Sequence, residues 1–222
     1  MGVCHAMLKK TTLSIIETLI KRHTVLTACK TALFEAATTL CFAYGKQKKL
    51  LVCGNGGSAA DAEHIVGELM KGFLLPRTLK KAARASFAQH FPQDAAYFSE
   101  HLQGSLPAIS LVNPIALNTA VANDQAADLC FAQQVWGLGN AGDVFLGIST
   151  SGQSKNVIYA AKVAKIKEMK VFALTGKSGG ALESVADICI KVPEADICRI
   201  QEQHMPIYHM LCAAVENELF GK

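Results

Sequence analysis

Apolar residues recur at three- and four-residue steps through the first 46 positions: Leu13, Ile16, Leu19 and Ile20, then Leu26, Cys29, Leu33, Ala37 and Leu40. That period puts them on helical stripes and predicts two helices meeting near His23-Thr24. A helical hairpin with this much apolar face needs a surface to bury it, either its own domain or a second subunit. From Lys49 the texture changes. Leu50–Cys53 is a short continuous apolar run that stops at Gly54-Asn55-Gly56-Gly57-Ser58, and a helical pattern follows from Ala59 to about Lys71. Similar runs recur at Ala108–Val112, Val144–Ile148 and Lys170–Leu174, with a weaker one at Ile188–Val192. Helical stretches at 125–138, 154–168 and 180–185 lie between them, and a last helix is expected over about 199–220. Continuous apolar strands alternating with helices predict a parallel sheet covered on both faces, wound by right-handed crossovers. The fold class is therefore α/β, a three-layer sandwich with a five-stranded parallel sheet and an N-terminal helical hairpin. Residues 74–106 break the alternation. They hold no strand-like run but two helical pieces separated by Phe91-Pro92, and read as a helical insertion. With no repeat and no low-complexity linker, the expectation is one domain over 1–222.

Composition narrows the class. Half of the 222 residues are apolar and 18% are charged, the opposite of a disordered chain. The most apolar runs are four to six residues long, against roughly 20 for a spanning helix, so no membrane segment is expected. The opening MGVCHAMLKKTTLS shows no apolar core followed by a small-residue cleavage site, so export is not expected and a soluble cytoplasmic protein is. The net charge of +4 is mild, and the basic residues are scattered among few aromatics, so no nucleic-acid partner is expected. Eight cysteines without a C-x-x-C fall mostly in apolar runs, as reduced thiols of a cytosolic chain do.

Two strand-to-helix loops carry unusual chemistry: Gly54-Asn55-Gly56-Gly57-Ser58, and Ser149-Thr150-Ser151-Gly152-Gln153-Ser154. Ligands of an open α/β sheet bind beyond the carboxyl ends of its strands. There glycines admit an anion close to the backbone, and helix N-termini aim unpaired N–H groups at it. With the hydroxyls added, the pair suits a phosphate monoester. Gly54–Ala59 also matches G-x-G-x-x-A, but the dinucleotide motif expects an acid about 20 positions on, where this chain has neither strand nor acid. Gly176-Lys177-Ser178 resembles the tail of a nucleotide-binding loop, but Val171 stands where its leading glycine belongs. Simple helix capping explains one such loop better than two at one sheet edge.

His64 and Glu68 are four apart on the helix after the first loop and share a face. In the last helix Gln201, His204 and His209 put polar groups into an otherwise apolar pattern. His, Glu, Gln and His suit Zn²⁺ or a similar metal, with Glu or His free to act as acid or base. Spacing alone leaves His204 and His209 as alternatives, and each polar group taken singly is more often a satisfied core residue.

The strings CGNGGSAADAEH, ISTSGQS and RIQEQHMPIYH, in that order, resemble the sugar-isomerase (SIS) domain, whose fold is flavodoxin-like, and within it the phosphoheptose isomerase family. H-x-x-x-E after the first loop and Q-E-x-H-x-x-x-x-H at the end carry the closer likeness, which spans the chain except for 74–106. The resemblance implies interconversion of sedoheptulose 7-phosphate and D-glycero-D-manno-heptose 7-phosphate through an enediol, on the route to nucleotide-activated heptose. It implies a homotetramer, with residues 1–46 in a central bundle and active sites at subunit interfaces. It implies a Zn²⁺ ion held by His64, Glu68, Gln201 and His209, which favours His209 over His204. Substrate contacts are implied at Asn55, Gly56, Gly57, Ser58, Asn123, Asp124, Ser149, Thr150, Ser151, Ser154 and Gln201. Glu68 is the expected base and His209 its acid/base partner, with Asp124 and Gln201 positioning hydroxyls. Two features depart from the family: Cys198 replaces an acid found in some members, and Lys71-Gly72 replaces a glycine–arginine pair. The insertion is a candidate roof over the site. Two rival readings remain, a non-catalytic SIS module that binds a phosphosugar or a replication initiator, and an isomerase of another sugar phosphate.

Overall fold

The computed structural model describes residues 8–221, so the first seven of the 46 positions expected to be helical lie outside the described residues, as do Cys4 and Lys222. The chain opens with α1 (Lys10–Arg22), a 3-10 segment over Thr24–Cys29, and α2 (Lys30–Gly45). The 3-10 turns thus lie between the two helices, where the sequence pattern put a direct junction. Next come β1 (Leu50–Cys53), α3 (Gly57–Met70), α4 (Lys81–His90), α5 (Ala95–His101) and β2 (Ala108–Ser110). Then follow α6 (Ile115–Val121), a π segment at Ala122–Ala126, a 3-10 turn, and α7 (Cys130–Leu138). The last third is β3 (Val144–Ser149), α8 (Lys155–Ile166), β4 (Lys170–Thr175), α9 (Gly180–Glu183), β5 (Ile188–Lys191) and α10 (Ile197–Phe220). The expected helix at 125–138 therefore starts ten residues early and is broken in the middle, because the apolar period does not register a π turn.

All five strands are parallel, in the order β2-β1-β3-β4-β5. Alternate strand residues feed opposite faces. Leu50, Val52, Leu146 and Phe172 join one apolar cluster with α1, α2, α3 and α10, while Leu51, Phe145, Val171 and Ala173 join a second with α7, α8 and α9. Both faces being covered explains why the strands read as unbroken apolar runs. The N-terminal stripe is buried within the chain itself: Ile16, Leu19, Leu26, Leu33 and Leu40 are all core. Glu218 of α10 pins α1 by accepting from the Lys9 N–H (3.0 Å) and the Thr12 hydroxyl (2.7 Å). Thr24–Gly45 is long and apolar enough by composition to cross a membrane, contrary to the run lengths counted from the sequence, but its inward residues are that same core.

The insertion is a two-helix arm. Thr78 and Gln103 bridge antiparallel at its neck, Phe87 stacks on Phe98 at 4.8 Å, and no residue of α4 or α5 is buried. Strand order reverses at β1, whose neighbours are β2 and β3, so the crevice where ligands of such sheets bind lies between the carboxyl ends of β1 and β3. Both glycine/hydroxyl loops leave the sheet there.

Candidate active site

The β1 loop turns through Gly56 at φ +56°, a left-handed conformation that favours glycine, and releases α3 at Gly57. A Cβ on Gly57 would stand 2.5 Å from Gln201 Nε2, so the missing side chain lets α10 lay its amide against the first turn of α3. The β3 loop turns through Gly152 at φ +65°, with the Gly179 carbonyl packed where a Cβ would be. Ser149 and Ser154 hydroxyls meet at 3.0 Å across this loop. Asn55 and Asn156 exchange two amide hydrogen bonds of 2.9 Å, tying the β1 loop to the start of α8. Beside the β3 loop lies a cavity of about 680 Å³ walled by Thr150, Ser151, Gln153, Lys177, Ser178 and Glu194. Lys177 was passed over in the sequence because its Gly-Lys-Ser context pointed to a nucleotide loop. Lys177 is the basic residue among those walling this cavity, a cation available to a phosphate there.

α3 and α10 run side by side, and seven residues beyond Gly57, about 10 Å along the axis, a second group of side chains meets. His64 Nε2 lies 3.2 Å from Glu68 Oε1 and 3.5 Å from His209 Nε2. On its other side, His64 Nδ1 lies 3.1 Å from the Tyr208 hydroxyl, which donates to Asp61 Oδ1 at 3.2 Å. Because the Tyr208 proton goes to Asp61, its oxygen accepts from His64 Nδ1–H, and the His64 Nε2 lone pair is left facing Glu68 and His209. Burial pushes the Tyr208 hydroxyl well above its usual range, with the Asp61 charge and hydrogen bond adding to it, so that the proton stays on oxygen. Burial also raises Asp61, against its bond from Tyr208 and the charge of His64. His209 sits below the usual histidine range, first through burial and then through His64, with Glu68 opposing. Lys71 donates to Glu68 Oε2 at 3.3 Å from an exposed position. A cavity of about 440 Å³ opens beside His209, walled by Thr18, Arg22, His23, Phe73 and Pro206.

The spacing bears on a metal. Ligands about 2.1 Å from a tetrahedral ion stand about 3.4 Å from one another, and the two distances from His64 Nε2 bracket that value. The His64 Nε2 lone pair also faces the Glu68 carboxylate and a ring nitrogen of His209, an arrangement a cation suits. No set of three or more His, Cys, Asp or Glu closes around one point among the described residues, and the Gln201 amide stands at Gly57 rather than with the cluster. The donor set therefore fits a borderline metal by type and spacing without forming a finished cage.

His64, Glu68 and His209 thus come together, while His204 does not join them. It is fully buried, and desolvation pushes its pKa down to about 4. Asn55, Gly56, Gly57, Ser58, Ser149, Thr150, Ser151 and Ser154 stand at the sheet edge as expected from the loops. Asn123 and Asp124 stand on the exposed π segment, bonded to each other at 2.8 Å and without a hydrogen bond to His64, Glu68 or His209 among the described residues. Sequence reasoning missed Asp61 and Tyr208, although Asp61 lies three residues before His64 and so shares its face.

It also missed a fully buried charge pair. Arg77 (1% exposed) and Glu216 (0%) meet at 2.7 Å behind the last turn of α3. Removing one partner of such a pair leaves an uncompensated buried charge and costs about 3–5 kcal/mol.

Comparison with known proteins agrees with the fold. A model of the SIS domain matches residues 85–176. Phosphoheptose isomerase 2 of Campylobacter jejuni is 39% identical over 206 residues, covering 93% of this chain and 88% of that one. Phosphoheptose isomerase of Citrifermentans bemidjiense is 41% identical over 191 residues, 86% of each chain. Among solved structures, a phosphoheptose isomerase from Francisella tularensis superposes with a TM-score of 0.72 at 34% identity, covering 93% of this chain and 97% of that one. The enzyme from Neisseria gonorrhoeae does so with a TM-score of 0.70 at 31% identity, covering 94% and 97%. With the five-stranded parallel fold, the phosphate-type loops and the His/Glu/His cluster in place, this chain belongs to the phosphoheptose isomerase family of SIS-domain proteins.

Proposed function

We infer that the chain is an aldose–ketose isomerase that interconverts sedoheptulose 7-phosphate and D-glycero-D-manno-heptose 7-phosphate, supplying nucleotide-activated heptose. The observation that carries the reading is the meeting of His64 and Glu68, on the helix that begins at the glycine-rich β1 loop, with His209 of α10, whose Gln201 lies against the start of that helix. The phosphate is held by backbone N–H groups at Asn55, Gly56 and Gly57 and by the hydroxyls of Ser58, Ser149, Thr150, Ser151 and Ser154, with Lys177 as its counter-charge. A span of about 10 Å along α3 from loop to cluster suits a substrate whose reacting carbons lie several bonds from its phosphate.

At the other end, the Glu68 carboxylate takes a proton from C1 of the ketose while His209 gives one to the C2 oxygen, forming the enediol. Glu68 then returns its proton to C2 as His209 takes one from the C1 hydroxyl, and the aldehyde forms at C1 with both residues restored. Gln201, Asn123 and Asp124 position substrate hydroxyls. His64, Glu68 and His209 would hold Zn²⁺, which would supply Lewis-acid polarisation of the carbonyl when bound, while Gln201 stays at the loop end of α10. The Asp61–Tyr208–His64 chain fixes the imidazole tautomer such a site requires.

The family's assembly supports a homotetramer built on α1 and α2, with the active sites at subunit interfaces. All seven cysteines among the described residues are free, which supports the cytoplasm as the working compartment. The reading is tested by incubating purified protein with sedoheptulose 7-phosphate, with and without added Zn²⁺, and following the sugar signals by NMR. Formation of the aldoheptose 7-phosphate, reduced by a chelator and restored by Zn²⁺, is the expected result. Substrate that binds and is never converted would favour a binding module instead. Conversion of pentose or hexose phosphates in its place would assign another isomerase.

A further inference from the structure

Glu68 and His209 stand on different helices, and one buried ion pair reaches both. α3 ends abruptly at Met70, where Lys71 turns into extended backbone, so the carbonyls of its last turn have no continuing helix to bond. Arg77 supplies donors from the side: its guanidinium donates to the Leu69 carbonyl at 2.6 Å, which also accepts the Leu106 N–H at 3.0 Å, and to the carbonyl of Glu68 itself at 3.0 Å. Its third donor, Nε, goes to Glu216 Oε1 at 2.7 Å. That carboxylate also accepts the N–H groups of Phe73 (2.8 Å), Leu74 (2.7 Å) and Leu75 (3.0 Å), pinning the strap that follows α3 onto α10. The Phe73 ring, so placed, packs against the His209 imidazole with centroids 5.5 Å apart.

We propose that the Arg77–Glu216 pair is a positioning device for proton transfer, setting Glu68 through its backbone carbonyl and His209 through the Phe73 ring. A pair serving stability alone is often replaceable by apolar residues at little loss. This one sends its remaining hydrogen bonds to the last turn of α3 and the strap, the two segments that carry Glu68 and Phe73. The proposal rests on the isomerase reading for its kinetic consequence and on geometry alone for the tether.

Two variants test it. Arg77→Lys keeps the charge but has no planar fork with which to bond Glu216 and two carbonyls together. Phe73→Leu leaves the strap bonded and removes only the ring, so it decides the matter even if Arg77→Lys does not fold. In both, kcat for sedoheptulose 7-phosphate is expected to fall about ten- to a hundredfold, as for a misplacement near 1 Å. KM should stay within about twofold, the mark of an interaction made in the transition state. Val135→Ala, a core truncation under the opposite sheet face, should lower the melting temperature and leave kcat and KM alone. Wild-type kcat in folded Arg77→Lys or in Phe73→Leu would overturn the proposal. So would KM rising in step with a falling kcat. If the wild type turned over no heptose phosphate, the isomerase reading would fail on its own. Amide exchange at Phe73–Leu75 would still judge the tether, about tenfold faster in Arg77→Lys if it holds and unchanged if it does not.

Discussion

His204 and His209 lie five residues apart on α10 and meet opposite environments. His209 is half-buried and faces His64, while His204 faces the core with no hydrogen-bond partner for either ring nitrogen among the described residues. Desolvation holds the folded-state pKa of His204 near 4, against about 6.5 in the unfolded chain. Below pH 6.5 the unfolded state therefore binds more protons, so stability is full above that pH and is lost as pH falls towards 4. The full effect is about 3 kcal/mol. Replacing His204 by Leu should flatten this limb, with urea midpoints at pH 7 and pH 4.5 differing less than in the wild type. An unchanged pH dependence in the variant would place the titrating group elsewhere. At this scale the sequence was legible where spacing and chemistry coincide. His64 and Glu68 share a face by the four-residue rule, but His204 and His209 were separated only by the family likeness. Nothing in the sequence pairs Arg77 with Glu216, because they lie 139 positions apart and each sits in an apolar context that hides a buried charge.

Elements were legible in proportion to how well apolar period reports burial. The five strands stood out because both faces of the sheet are covered, and α10 because its stripe is long. α6 was lost: of its residues only Val121 is buried, so no period marked it. The arm was visible as two helical pieces split near Pro92, yet sequence offered no means of telling whether it folds onto the domain. In the structure its neck is fixed beside the end of α3, where the Gly72 N–H donates to Gln103 Oε1 at 2.5 Å, and its helices bury nothing. Deleting 80–101 and closing the Thr78–Gln103 bridge with a short turn should then leave the melting temperature within a few degrees of the wild type. Loss of cooperative unfolding would mean the arm belongs to the core. If it stays folded, the same variant assayed on heptose and pentose phosphates reads whether the arm selects the sugar.

For the whole molecule, the placing of both loops at one sheet edge was implied by strand–helix alternation, and the strand order and the parallel run of α3 and α10 were not. That run sets a phosphate-type edge about 10 Å from a His/Glu/His group along two helices. It also leaves Gln201 at the loop end, eight residues and about 12 Å of helix from His209, which is why one chain gathers three donors and not four.

The central claim is that Glu68, held between His64 and Lys71, is the group that moves the substrate proton. The most direct measurement is turnover of sedoheptulose 7-phosphate by Glu68→Gln, paired with calorimetric binding of the same sugar. The amide keeps the shape and cannot take the proton, so turnover should fall about 10²–10⁴-fold, while the loops go on binding the phosphate with little change. Wild-type turnover in Glu68→Gln would contradict the account.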